Sequence, residues 1–235
     1  MRIVHECDEK TWPDMAAAVV AEAIARTISA KGSCNIMLTG GRSAKRLYAR
    51  WANAKLPFDQ MNFYFGDERC VPPDDPDSNY GMAMAALFNS SVPRGCKVYR
   101  MYAEDCNLER AAKAYEEVLP ETVDVLLLGL GTDGHIASIF PRGTALAAGE
   151  RRVVRSVAPS SPFDRLTITP KVIAEAGEIF VLATGAEKGR VLAAAATLPY
   201  DIAELPARLA LRGTWLMDDE AMNTFSSSSG MFLRS

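Results

Sequence analysis

The sequence predicts an α/β fold of three layers, a mainly parallel sheet between two layers of helices, on three observations. Short apolar runs bounded by glycine alternate with longer stretches of helical composition along most of the chain. Two of those runs, VDVLLLGL and EIFVLAT, are apolar at nearly every position, as in strands covered on both faces. No low-complexity linker and no repeat of fixed period divides the 235 residues, so one domain over 1–235 is expected.

Taken in order, Ala16 to Ile28 has helical composition and spacing, and Thr11 and Pro13 suit its start. CNIMLT reads as a strand, followed by Gly40-Gly41 and a helix from about Ser43 to Asn53. The alternation returns with MNFYFG as strand, NYGMAMAALF as helix, KVYRM as strand and LERAAKAYEEVL as helix. After VDVLLLGL and EIFVLAT comes the helix GRVLAAAATL. RRVVRSV and DRLTITP alternate more sharply and fit an antiparallel or edge portion. The closing TFSSSSGMFLRS reads as weakly structured or as a terminal strand. Ligands of such sheets sit beyond the carboxyl ends of the strands, so the loops after residues 39, 66, 129 and 184 should meet in one crevice.

Composition removes several classes of function. Net charge is −3, with 26 basic and 29 acidic residues, so no global field favours nucleic acid or an anionic membrane. The five cysteines lack the spacing of a disulfide framework or zinc ribbon and read as reduced thiols. The N-terminal MRIVHECDEKTWPDM is too polar for a signal peptide, and no apolar run approaches the ~18 residues of a membrane span. A cytoplasmic protein, a monomer or small homo-oligomer acting without a cofactor, is the expectation. Two distant histidines and scattered cysteines cannot supply a usual catalytic zinc shell, so no metal is expected.

The stretch VLLLGLGTDGHIASIFP sets Gly129, Gly131 and Gly134 in the spacing of a dinucleotide fingerprint. That fingerprint needs a long helix after its third glycine, and here Pro141, Arg142 and Gly143 break the helix within two turns. The glycines do allow Asp133 and His135 to face one point from a tight loop. His135 is the one histidine of two in a crevice loop, and as a base it would take a proton from water with Asp133 fixing its tautomer. The same residues also fit a histidine satisfied by a backbone carbonyl, with Asp133 as a turn or capping residue.

Three loops offer positive charge or open backbone. In LTGGRSAKRLY, Gly40, Gly41, Arg42 and Ser43 open a helix whose first N–H groups can meet a phosphate, or Ser43 simply caps it. In FGDERCVPPDDPDSNYG, Arg69 follows a strand end, Asp67 stands two residues before it, and an excursion that would equally suit an exposed loop leads to Asn79. In LATGAEKGRV, Lys188 sits in a helix's first turn, where its charge opposes the helix dipole unless an anion binds. Arg165 in DRLTIT is a candidate of the same kind.

These blocks, in order and over about residues 35 to 195, resemble the 6-phosphogluconolactonases. The resemblance implies the α/β fold shared with glucosamine-6-phosphate deaminases, ribose-5-phosphate isomerases and CoA transferases. It implies hydrolysis of 6-phospho-D-glucono-1,5-lactone in the oxidative pentose phosphate pathway. By it, His135 is the base and Asp133 its orienting partner. Lys188, Arg165 and the Gly40–Ser43 loop meet the phosphate, Arg69 meets phosphate or oxyanion, and Asp67 meets sugar hydroxyls or water. The chain departs from the family's usual glycine-glycine-serine-threonine-proline loop with Arg42, Ser43 and Ala44, which keeps the backbone donors and changes the side-chain contacts. The deaminase branch, an aldose-ketose isomerase chemistry, carries a glutamate just before the proline, where this chain has Phe140. A sugar-phosphate sensor without turnover is the alternative from a different class.

Overall fold

The computed structural model of the chain describes residues 1–6, 8–199 and 201–232. Seven strands form one sheet: β1 (Arg2–Glu6), β2 (Cys34–Leu38), β3 (Met61–Phe65), β5 (Lys97–Val98), β6 (Val125–Gly129), β9 (Glu178–Ala183) and β10 (Thr214–Asp218). Their spatial order is β1-β10-β9-β6-β2-β3-β5, and every neighbouring pair is parallel. A second sheet of β4 (Asp67–Arg69), β7 (Val153–Val157) and β8 (Asp164–Ile168) is antiparallel, in the order β4-β8-β7. The two alternating segments thus form an antiparallel portion as expected, and they recruit a third strand from what reads as a loop.

Helices cover both faces of the large sheet. On one face α1 (Trp12–Lys31), α2 (Arg42–Trp51) and α3 (Asn79–Leu87) bury Trp12, Leu47, Trp51 and Leu87 against Ile36, Phe63 and Leu127. On the other, α4 (Leu108–Val118), α5 (Pro170–Glu175), α6 (Ala186–Thr197) and α7 (Asp219–Phe232) close over Met37, Leu126, Val181 and Met217. Successive residues of a strand serve opposite faces, so Leu126 and Leu127 belong to different cores. A strand with apolar residues on both faces is the consequence, and β6 is buried at its first four positions.

Three readings of the sequence are corrected. The closing segment is neither a strand nor weakly structured: residues 224–232 lie in α7, and 233–235 are outside the described residues. Its serines are poor helix formers, but α7 gains its stability by lying against α6. At that crossing a Cβ on Gly189 would lie 2.2 Å from the Ala221 carbonyl oxygen, so the glycine permits the approach. No helix starts directly after Gly134, and the next helical turn is the short Thr144–Ala147, because Gly134 and Ala137 both take positive φ, 87° and 47°. KVYRM forms only the two-residue β5 at the sheet edge. Cys34, Cys70, Cys96 and Cys106 are free thiols, and Cys7 is outside the described residues. No helix among the described residues is long and apolar enough to cross a membrane.

Candidate active site

The middle strands β2, β6 and β9 end side by side, and the loops after residues 39, 66, 129 and 184 do meet there. They enclose two adjoining lobes. The larger, about 470 Å³, is lined by Arg42, Ser43, Thr184 and Gly185 and also by Glu9, Asp218 and Glu220. The smaller, about 300 Å³, is lined by Asp67, Arg69, Thr132, His135 and Ala137. Gly40, Gly41, Gly129, Leu130 and Lys188 border both, so one extended molecule can occupy the two lobes together.

His135 and Asp133 meet within the loop that follows β6, with His135 Nδ1 2.6 Å from Asp133 Oδ1. A carboxylate there requires the proton on Nδ1, so in the neutral ring Nε2 carries the lone pair. The His135 backbone N–H also donates to Asp133 Oδ1 at 3.2 Å, and Gly131 N–H donates to the His135 carbonyl at 2.8 Å. Burial pushes the Asp133 carboxyl up, but the hydrogen bond and charge of His135 outweigh it and hold Asp133 below the usual carboxylate range. The Phe140 ring lies 4.8 Å from the imidazole and backs it with an apolar surface. His135 is one-third exposed, so water reaches the ring. The other histidine, His5, stands on β1 beside Asp219 and takes no part.

Asp67 and Arg69 point the same way because they are two residues apart on β4, and the intervening Glu68 points to the opposite side. There Glu68, 3% exposed, accepts hydrogen bonds from the backbone N–H groups of Arg69, Asn79 and Tyr80 and from Ser78 Oγ. It therefore anchors the start of α3. Burial raises its pKa despite those donors. Asn79 is buried at the start of the same helix and donates from Nδ2 to the Asp67 carbonyl at 2.9 Å and carboxylate at 3.3 Å. It also fills the space that a Cβ on Gly40 would need, 1.9 Å from Asn79 Oδ1. Asn79 thus supports the site from behind and does not line either lobe.

Several features of the larger lobe favour an anion beside its carboxylates. Helices α2 and α6 both begin at glycines of positive φ, Gly41 at 96° and Gly185 at 88°, and neither has a side-chain cap. Their first N–H groups and dipoles favour negative charge. Ser43 Oγ and Thr184 Oγ1 are 2.7 Å apart and join the two helix starts. Gly185 N–H is taken by Asp218, which leaves α2 as the richer source of donors. The Lys188 ammonium has no hydrogen-bond or ion-pair partner among the described residues, and burial together with Arg42 lowers its pKa. Arg46 is held by Glu9 at 2.8 Å.

Arg165 stands outside both lobes. It is the register partner of Arg69 across β4 and β8, is 7% exposed, and donates to the carbonyls of Asp164 and Pro162. Burial, then the nearby Arg69, lowers its pKa. Sequence reasoning missed Thr39, Thr184, Ser138 and Asp218. Thr39 Oγ1 accepts Gly129 N–H at 3.0 Å and so ties β2 to β6 at the site. None of these has a titratable signal in a sequence except Asp218, whose strand was itself not read. Among the described residues no three metal-ligating side chains converge.

Residues 8–217 match the family model described as glucosamine-6-phosphate isomerases/6-phosphogluconolactonase. A 6-phosphogluconolactonase of Streptomyces coelicolor is 32% identical, over 96% of this chain and 95% of that one. A solved structure of 6-phosphogluconolactonase from Trypanosoma brucei is 30% identical, covers 94% of this chain and 97% of its own, and superposes with a TM-score of 0.82. A monomeric glucosamine-6-phosphate deaminase also superposes with a TM-score of 0.82, over 95% of this chain and 100% of its own, at 20% identity. The fold is therefore common to both branches.

Proposed function

The chain belongs to the glucosamine-6-phosphate isomerase/6-phosphogluconolactonase family, and from that premise we propose that it hydrolyses 6-phospho-D-glucono-1,5-lactone to 6-phospho-D-gluconate in the oxidative pentose phosphate pathway. The observation that carries the reading is the 2.6 Å contact of His135 and Asp133 in a lobe that adjoins the unpaired Lys188. A base and an anion site next to each other suit a cyclic ester with a phosphate at its far end. Phe140 beside the imidazole supplies no carboxylate, which favours hydrolysis over a deaminase's ring opening.

A δ-lactone is an activated ester, so a placed base and an oxyanion stabiliser suffice for its hydrolysis. The phosphate lies in the larger lobe, against the first N–H groups of α2, Arg42, Ser43 and Lys188. The lactone carbonyl then lies in the smaller lobe. His135 Nε2 takes a proton from water as the water oxygen bonds to C1, while Asp133 orients the ring and stabilises the imidazolium. Arg69 faces the developing oxyanion, with Arg165 adding positive charge behind it, and Asp67 accepts from a sugar hydroxyl or from the water. As C1 parts from the ring oxygen, His135 returns the proton to that oxygen. The phosphate end holds C1 in line with the base.

The test is a lactonase assay on freshly prepared substrate, corrected for spontaneous hydrolysis, alongside ammonia release from glucosamine 6-phosphate. Catalysed hydrolysis without ammonia is the expected result. Stabilisation of the fold by 6-phosphogluconate without any turnover would point to a sensor and end the proposal.

Lys188 gives a graded check. Replacing it with alanine should raise KM about 10–100-fold, the worth of a charge-assisted hydrogen bond, with kcat changed much less. An unaltered KM excludes it from the phosphate site. Because its pKa is lowered, the ammonium is lost at a lower pH than an ordinary lysine's. Affinity for 6-phosphogluconate, followed by calorimetry, should therefore weaken as pH rises toward that value, and Lys188→Arg should remove the weakening.

A further inference from the structure

Ser138 lies three residues beyond His135 on the same loop and is 1% exposed. Its hydroxyl donates to Asp67 Oδ2 at 2.7 Å, and its backbone N–H donates to Thr167 Oγ1 at 3.1 Å. Thr167, fully buried on β8, is the register partner of Asp67 across the small sheet, and its own hydroxyl donates to the Ile168 carbonyl. The loop carrying the base is thus pinned to β4 and β8 at one point. The left-handed Ala137, φ 47°, turns the chain there so that residues on either side of it serve different partners. His135 meets Asp133 and the cavity, while Ser138 meets the back of Asp67.

We propose that Ser138 is a positioning residue of the lactonase reaction, holding the Asp67 carboxylate and the His135 loop in a fixed relation. The inference rests on the function proposed above. Asp67 has two side-chain donors, Ser138 Oγ on Oδ2 and Asn79 Nδ2 on Oδ1, and they come from different parts of the chain. Asn79 fixes the carboxylate to α3; only Ser138 fixes it to the loop of the base. Without the hydroxyl, Asp67 keeps its place on β4, but its Oδ2 is free to turn toward Arg69 or the cavity. Misplacement of a reacting group by a fraction of a bond length lowers the rate of the chemical step more than it lowers affinity.

Four variants test this: Ser138→Ala, Ser138→Thr, Asp67→Asn, and the double variant Ser138→Ala with Asp67→Asn. Ser138→Ala should lower kcat about 10–100-fold while KM and the affinity for 6-phosphogluconate stay within about twofold. Ser138→Thr, which keeps the hydroxyl, should restore most of the rate. Ser138→Ala should cost little further rate once Asp67 is asparagine, since the two act as one unit. If Ser138→Ala folds poorly, Ser138→Cys, close in size with a weak donor, should show the same loss of kcat at unchanged product affinity. A full kcat in a folded Ser138→Ala, or losses that multiply in the double variant, would overturn the inference. A wild-type chain that does not hydrolyse the lactone overturns the premise instead, and the inference with it.

Discussion

Replacing His135 with alanine lowers kcat by about 10²–10⁴-fold and leaves KM nearly unchanged, the expected result if the imidazole is the general base. In the proposed mechanism His135 meets the reacting water, whereas the binding energy would come from the larger lobe, with Lys188 bordering both. His135→Gln is the companion variant: it keeps a polar side chain beside Asp133 but cannot take a proton at neutral pH, so it should be about as slow. The measurement is steady-state hydrolysis of fresh lactone, with calorimetric binding of 6-phosphogluconate to show that the site survives. A variant that retains near-normal turnover removes the imidazole from the mechanism.

Gly131→Ala should be nearly as damaging, although the glycine has no side chain to offer the reaction. A Cβ on Gly131 would lie 2.1 Å from His135 Nδ1 and 2.4 Å from Asp133 Oδ1. Both distances are far inside contact, so the methyl group must separate the two side chains or expel them from the loop. Loss of about 10²-fold or more in kcat follows from the misplaced base. The loop's hydrogen bond from Gly131 N–H to the His135 carbonyl uses backbone alone, so the fold should persist with circular dichroism unchanged. A Gly131→Ala protein with wild-type rate would mean that the dyad geometry does not matter to the reaction.

This glycine also marks a limit of what a sequence tells. Gly129, Gly131 and Gly134 are read there as a source of backbone freedom, and only Gly134 uses it, at φ 87°. Gly131 is needed for space, which depends on two side chains that fold back onto it. The central strands, the helices between them and the meeting of four loops were legible because glycine punctuation and apolar runs are local signals. The three-residue β4 was not, because it pairs with β8 about a hundred residues away and is too short to show a period of two. Reading Asp67, Glu68 and Arg69 as a loop hides that the first and third share a face and the second is buried behind them. The edge strand β1 and its neighbour β10 escaped for a related reason: Arg2, His5 and Glu6 blur the one, and the other is five residues that run straight into α7. The tail escaped because serine propensity argues against a helix that tertiary contact nevertheless stabilises.

The position of the site in the strand order has a consequence for how the protein would fail under heat or denaturant. Its walls come from the loops after β2, β6 and β9, three adjacent interior strands, and from β4 of the small sheet, while β1 and β5 form the margins of the large sheet. Fraying begins at margins, where few apolar groups and few backbone partners are lost, so early loosening there leaves the reaction intact. Catalysis should therefore vanish when the large sheet's centre or the small sheet carrying Asp67 and Arg69 ruptures, and residual activity would gauge the loss of those two parts and not of the margins.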